Sequence, residues 1–197
     1  MAPDGPGLQH RSYSRRMAGA SRHERAWVRG ARAGSAADVE ALFRHHWPLA
    51  YRAAYLVVHD AAAAEDIAQE AFLAALRALD RFDRRRPFGP WLHRIVVNRA
   101  IDWARARTLR AEVYDDSTIE RAAARERPGA GDTDARALAR GLEELSPGHR
   151  AVIVLRHLLE YTPGEIADLL ELPRGTVNSR LRRGLDELRD SLGEELR

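Results

Sequence analysis

Glu165-Ile-Ala-Asp-Leu-Leu-Glu-Leu-Pro-Arg-Gly-Thr-Val-Asn-Ser-Arg-Leu-Arg-Arg183 decides how the chain is read. Ile166, Ala167 and Leu170 recur at the spacing of one helix face, and Val177, Leu181, Leu185, Leu188 and Leu192 form the inner stripe of a longer helix. Between them, Glu171-Leu172 before Pro173 leaves room only for a tight turn. Small Ala167 marks the place where the two helices cross closely. This is a helix-turn-helix pattern. Thr162-Pro163-Gly164-Glu165 opens it as a capping box with proline at the first helical position.

A helix turns about 100° per residue, so the side opposite Val177 carries Thr176, Ser179, Arg182 and Arg183, with Arg174 at its start and Asn178 on its flank. Residues 174–183 hold four arginines and no acid, whereas the region from Arg136 onward has ten arginines and eleven acids. A basic, hydroxyl-bearing face on an otherwise acidic unit suits the major groove. Arginine there pairs with guanine edges or phosphates, and Ser, Thr and Asn add short hydrogen bonds. A merely solvated hairpin would show the same polarity but would not need the basic run.

Working outward, Ser146-Pro147 caps a preceding helix, and helices are expected near 136–145, 148–159, 163–170 and 173–191. Residues 108–135 contain Pro128-Gly129-Ala130-Gly131, and their acids outnumber their arginines. They read as a flexible acidic linker. Its acidity beside basic flanks predicts a compact free chain.

Upstream, Ser35-Ala-Ala-Asp38 is a capping-box-like start for a helix through Leu42, Phe43, Trp47, Ala50 and Ala54, which Pro48 should kink or break. A second helix, about 62–79, is acidic and turns Asp66, Gln69 and Glu70 away from Phe72 and Leu76. A third opens at Pro90, with Leu92, Val96, Ala100 and Trp103 inward. Between Arg81 and Arg110 nine arginines face only two acids, Asp83 and Asp102, and Phe82, Phe88, Trp91 and Trp103 are interleaved. Arginines beside aromatics meet the needs of unpaired nucleic acid, although Trp91 and Trp103 equally suit a core. Asn98 is a polar side chain in the apolar run Ile95-Val-Val-Asn-Arg99 and can read a base edge.

The fold class is therefore all-α: two small helical domains, 35–107 and 136–197, joined by the linker at 108–135. Residues 1–34, with seven arginines against Asp4 and Glu24, read as a disordered basic tail. The 197 residues include no cysteine, so disulfide scaffolds and cysteine-held metals are excluded. All 32 basic residues are arginine, which reflects composition more than function. His45-His46 diverge on a helix and lack a third ligand, so neither a metal nor a cofactor is expected. No apolar run is long enough to insert in a membrane, and no secretory signal is present, so the chain is expected in the cytoplasm. No nucleophile, triad or phosphate-cradling loop points to an enzyme. A nuclease would need clustered carboxylates beside the basic groove, and Asp83 and Asp102 are isolated.

Taken together, Glu65-Asp-Ile-Ala-Gln-Glu-Ala-Phe72 with Ala78-Leu-Asp-Arg-Phe82, Phe88-Gly-Pro-Trp-Leu-His-Arg-Ile-Val-Val-Asn-Arg-Ala-Ile-Asp102, and Leu145-Ser-Pro-Gly-His-Arg150 through Arg183 resemble bacterial sigma factors of the extracytoplasmic-function group. The resemblance covers about 36–107 and 136–192. It implies that 35–107 is sigma region 2 and 136–197 is sigma region 4, and that the chain directs core RNA polymerase to promoters. It also implies that Asp66, Gln69 and Glu70 meet the polymerase clamp. Phe88, Trp91, Asn98 and Arg99 would open and read the minus-ten element. Arg174, Thr176, Asn178, Ser179, Arg182 and Arg183 would read the upstream element of promoter DNA. An anti-sigma factor is the further partner implied.

Three positions depart from the family pattern. Asn178 stands where Lys or Arg is common, Glu171 where glycine is common, and Leu92 where housekeeping members have a second Trp. The competing reading is a helix-turn-helix regulator that binds DNA without polymerase.

Overall fold

The computed structural model describes residues 22–83, 85–114 and 133–195, and among them every regular element is helical. Helix α1 spans 22–32 and α2 spans Ala36–Val58, with α3 at Ala61–Arg77, a short 3₁₀ turn at Leu79–Arg81 and α4 at Phe88–Tyr114. The second group is α5 (Thr133–Glu144), α6 (Pro147–Ile153) continued by a π-helical turn Val154–Leu158, α7 (Pro163–Leu170) and α8 (Arg174–Glu195). The all-α expectation and the two helical units hold.

Local chemistry sets the helix starts. Ser35 accepts from the Asp38 N–H at 3.3 Å, Asp60 from Ala63 at 2.9 Å, and Ser146 from His149 at 3.3 Å. Each satisfies a first-turn donor that the helix itself cannot. Pro48 does not break α2, which runs continuously on both sides of it. At its end His59 adopts a left-handed conformation (φ 53°) and donates its N–H to Tyr55 O at 2.8 Å, so Asp60 can open α3 directly.

In the first lobe, α2, α3 and α4 pack through small residues. Ala53, Ala54, Ala64, Ala68, Ala71, Ala75 and Ala100 are fully buried, which lets the helix axes approach closely. The end of this core is aromatic: Phe43 meets Phe72 edge-on at 5.1 Å, and Phe88 lies between Phe72, Phe82 and Trp91.

Two domain boundaries are corrected. Residues 22–34 do not belong to an unstructured tail: α1 buries Val28 and Glu24 against the first lobe. The Glu24 carboxylate accepts the Gly89 N–H at 3.0 Å and lies 3.1 Å from His46 Nε2. It thus caps α4 from outside that helix's own sequence. Burial pushes this carboxyl up, but the hydrogen bond and charge of His46 and the Gly89 N–H outweigh it and hold it below its ordinary value. At the other boundary, α4 continues to Tyr114, so 108–114 are helical, not linker. Residues 1–21 and 115–132, the rest of the expected tail and most of the linker, lie outside the described residues.

The lobes touch directly, and the buried apolar core is continuous between them. His93 Nδ1 lies 2.8 Å from the Tyr161 hydroxyl, Arg94 pairs with Glu171, and the Arg150 guanidinium donates to Val57 O at 2.5 Å. The lobes are held together by these helix contacts, while the expected contribution of linker charge falls mostly on residues 115–132, outside the described residues.

Candidate nucleic-acid and polymerase interfaces

The upstream-reading candidate is built on α7 and α8. Thr162 and Glu165 satisfy each other: the Glu165 N–H donates to Thr162 Oγ1 at 3.3 Å, and the Thr162 N–H donates to Glu165 Oε2 at 2.8 Å. The turn bends at Glu171, whose φ of 55° is left-handed, and the Leu172 N–H closes it onto Ala167 O at 2.9 Å. A non-glycine residue here costs about 1 kcal/mol. The reading of Glu171 as an unusual occupant of a glycine position fits this backbone.

Helix α8 is pinned by buried Val177, Leu181 and Leu188, and it crosses α6 at Gly184. A Cβ at Gly184 would lie 3.0 Å from Ile153 Cδ1 and 3.1 Å from His149 Cβ, so glycine is what allows this close crossing. Arg174, Asn178, Arg182 and Arg183 are exposed along the outer side, while Thr176 and Ser179 are half-buried. The Ser179 hydroxyl donates to Thr176 O at 2.9 Å, which leaves its oxygen to serve only as an acceptor. Two acids of α8 are paired away from this side, Asp186 with Arg189 and Glu187 with His149.

On the first lobe, Asp66, Gln69 and Glu70 are all exposed on α3. Gln69 donates to Glu65 at 3.3 Å, and Glu70 forms an ion pair with Arg99 at 2.7 Å. That pair joins a candidate polymerase residue to a candidate minus-ten residue. Leu73, 49% exposed, extends the same α3 face one turn further. Sequence reasoning passed over it, although its spacing from Asp66, Gln69 and Glu70 (seven, four and three residues) was the available signal.

Along α4, Trp91, Asn98 and Arg99 are half-buried and accessible from one side. Trp91 stacks on Phe82 with centroids 4.7 Å apart. Phe88 needs correction as a base-contacting residue. At 1% exposure it is the hub of the aromatic cluster, and it supports Trp91 from beneath. Trp103 carries the Arg107 guanidinium 5.4 Å above its ring. Of the two adjacent histidines, His46 lies against Glu24 and His45 against Trp27 with centroids 5.5 Å apart, but contrary to the expectation that they diverge, their own rings meet edge-on at 4.7 Å. Among the described residues no group of three or more His, Cys, Asp or Glu is placed to hold a metal ion, and no helix is long and apolar enough to cross a membrane.

Comparison with known proteins places both lobes. Residues 42–110 match Sigma-70 region 2, and residues 135–188 match Sigma-70, region 4. The ECF RNA polymerase sigma factor SigW of Bacillus subtilis is 34% identical over 72% of this chain and 82% of its own length. The ECF RNA polymerase sigma factor SigL of Mycobacterium tuberculosis is 35% identical over 85% of this chain and 96% of its own. Among solved structures, CnrH in complex with the cytosolic domain of CnrY aligns with a TM-score of 0.63 at 28% identity, covering 87% of this chain and 98% of that one. The sigma factor RpoE of Bartonella quintana, in complex with the anti-sigma factor NepR, shares the fold with a TM-score of 0.64 at 22% identity, covering 79% and 97%. With both regions present in order and relatives matched over nearly their full length, the chain belongs to the extracytoplasmic-function group of RNA polymerase sigma factors.

Proposed function

We propose that this sigma factor divides its work among three surfaces: the α3 face for the polymerase clamp, the outer side of α4 for the minus-ten element, and the outer side of α8 for the upstream element. As a family member it binds core RNA polymerase and directs promoter-specific initiation, by binding alone and without a catalytic step of its own. The observation that carries the assignment is charge segregation on a rigid scaffold. Exposed Asp66, Gln69 and Glu70 share one helix, while exposed Arg174, Arg182 and Arg183 stand on another whose inner side is locked in the core.

On α4, Trp91 supplies an aromatic plane, Asn98 a donor and acceptor for a base edge, and Arg99 a cation. A protein of the anti-sigma class belongs to the same proposal, as does action in the cytoplasm, where polymerase and promoters are. The relative CnrH is solved with the cytosolic domain of CnrY, and RpoE with NepR.

The test is transcription with purified core polymerase on candidate promoters, beginning with the one upstream of the factor's own gene. Charge-assisted contacts at such an interface are worth about 2–5 kcal/mol each. Gln69→Ala with Glu70→Lys therefore weakens core binding in a titration while helicity is retained. Unchanged core affinity would reject the α3 assignment. Sequence-specific promoter binding that needs no polymerase would favour the stand-alone regulator instead.

A further inference from the structure

Helix α1 precedes the stretch that matches Sigma-70 region 2, which begins at residue 42, yet it is joined to the first lobe at two specific points. Near its start, the buried Glu24 carboxylate accepts the Gly89 N–H at 3.0 Å, in the first turn of α4. At its end, Arg32 donates to Asp80 O at 3.0 Å through Nη2 and to Asp80 Oδ1 at 3.3 Å through Nε. Asp80 stands in the 3₁₀ turn that follows α3. The two anchors are eight residues apart on one helix, about 12 Å along its axis. They hold the two ends of the connection between α3 and α4.

That connection carries Arg81, Phe82, Asp83, Arg85 and Arg86 and leads the chain to Phe88 and Trp91. Inside it Asp83 makes a local turn, accepting the Arg85 N–H on its carboxylate at 3.0 Å and the Arg86 N–H on its carbonyl at 2.9 Å. Such a turn sets the shape of a few residues but not the place of the whole segment. Placement comes from α1. Glu24 and Val28 pack with Phe82, Arg86 and Phe88 around a gap of about 10 Å³, the lower limit for one water. Nor is α1 free to slide. His46 Nε2 lies 3.1 Å from the same Glu24 oxygen, Trp27 packs on His45, and a Cβ on Gly30 would run into the Asp38 carboxylate of α2.

We propose that α1 is the positioning element of the minus-ten surface, Glu24 and Arg32 fixing both ends of the α3–α4 connection so that Trp91 meets the promoter in one register. This rests on the reading of α4 as the minus-ten surface. Neither residue has to touch DNA. Telling one base from another requires side chains held to within about 0.5 Å, which depends on the groups that support them. Because Trp91 stacks on Phe82, a shift of the connection moves the ring offered to a base. The Arg32–Asp80 contact is open to solvent on the aspartate side, so its loss scarcely alters stability and reports on placement alone.

The experiment uses holoenzyme assembled from the full chain and core polymerase. Its templates carry the promoter upstream of the factor's own gene, randomised at the minus-ten positions, each linked to a barcode in the transcribed region. Barcode counts then give the preference at every minus-ten base. A mismatched base pair costs a well-read site roughly five- to 150-fold in binding, and Glu24→Ala and Arg32→Ala should each reduce that ratio about threefold or more. Core affinity and the preference at the upstream element should not change. Glu24→Gln, whose amide oxygen still accepts the Gly89 N–H, should stay close to the parent. Val57→Ala, in the core at the far end of α2, should lower the melting temperature and leave the preference intact.

Parent-like preference in Arg32→Ala would overturn the proposal, as would a loss of preference in Val57→Ala equal to that in Glu24→Ala. Trp91→Ala separates the two levels: if it keeps the parent's preference, the minus-ten reading of α4 itself fails, and the positioning role with it.

Discussion

The guanidinium of Arg150 donates to the main-chain carbonyl of Val57, 93 positions earlier in the chain, at 2.5 Å. The same group donates to Glu143 O at 2.7 Å and Leu145 O at 2.8 Å. These carbonyls end α2 and follow the last turns of α5, where helices run out of internal donors. One buried cation thus caps two helices and ties the lobes together. Burial lowers its pKa to about 10, which leaves it charged at neutral pH.

Arg150→Ala should therefore cost about 2–4 kcal/mol, since three carbonyls lose a charged donor. Arg150→Lys should recover only part of this, because a single ammonium cannot span the fork. Urea unfolding together with lobe separation measured on the same variants would check it. A loss below about 0.5 kcal/mol, the level of a surface substitution, would contradict the capping role.

Two buried histidines make the closed fold sensitive to acid. His93 is held neutral with a pKa of about 3, chiefly by burial and then by the charge of His46. His59 sits at about 4, through burial and then Arg150. A base with a depressed folded pKa binds its proton more readily when unfolded. Its contribution is therefore complete above the ordinary value of 6.5 and declines as pH falls toward 4 and then 3. Between these limits each group should remove about 1.4 kcal/mol per pH unit. Unfolding measured at about pH 7 and about pH 5 should show this slope, and His93→Gln should reduce it by about half. The depressed carboxyl of Glu24 adds a further loss only at lower pH, below its ordinary 4.5.

Two glycines of α8 should respond oppositely to alanine. At Gly184 a Cβ meets Ile153 and His149 at 3.0–3.1 Å, so Gly184→Ala should destabilise by about 1–3 kcal/mol despite better helix propensity. At Gly175 nothing lies within 4 Å, and Gly175→Ala should stabilise by about 0.5 kcal/mol. Thermal melts of the two variants would show the contrast.

The residues proposed to face DNA should separate by step. Arg182→Ala or Arg183→Ala should weaken promoter recruitment by about 1–3 kcal/mol where the side chain reads a base, and uniformly across promoters where it meets phosphate. Asn98→Ala should spare closed-complex binding and reduce permanganate reactivity at the minus-ten element. Equal effects of both classes on closed binding would reject the division between α8 and α4.

Much of this was legible residue by residue. The caps at Ser35, Ser146 and Thr162, and the stripe Val177, Leu181 and Leu188, could be read because a cap and its partner lie within one turn and a core stripe repeats with the helix. Leu73 was passed over because its one local mark, the spacing from Asp66, Gln69 and Glu70, does not say whether a leucine on that face is exposed. Phe88 was misplaced because an aromatic between arginines reads alike whether it faces a base or a core. Only its packing against Phe72, Phe82 and Trp91 distinguishes the two.

By itself the sequence determined that the segments of α2 to α8 are helical, though not α1 or the last turns of α4, where α7 and α8 begin, and which side of each of these helices is apolar, since these depend on interactions within a few residues. Tertiary structure alone decided that α1 belongs to the first lobe. The reason is that Glu24 finds its donor at Gly89 and its cation at His46, groups no local pattern connects to it. It also decided that the lobes close on each other, through Arg150 with Val57, His93 with Tyr161, and Arg94 with Glu171. Those pairs join positions far apart in the chain, and their energy exists only once both partners have left water together.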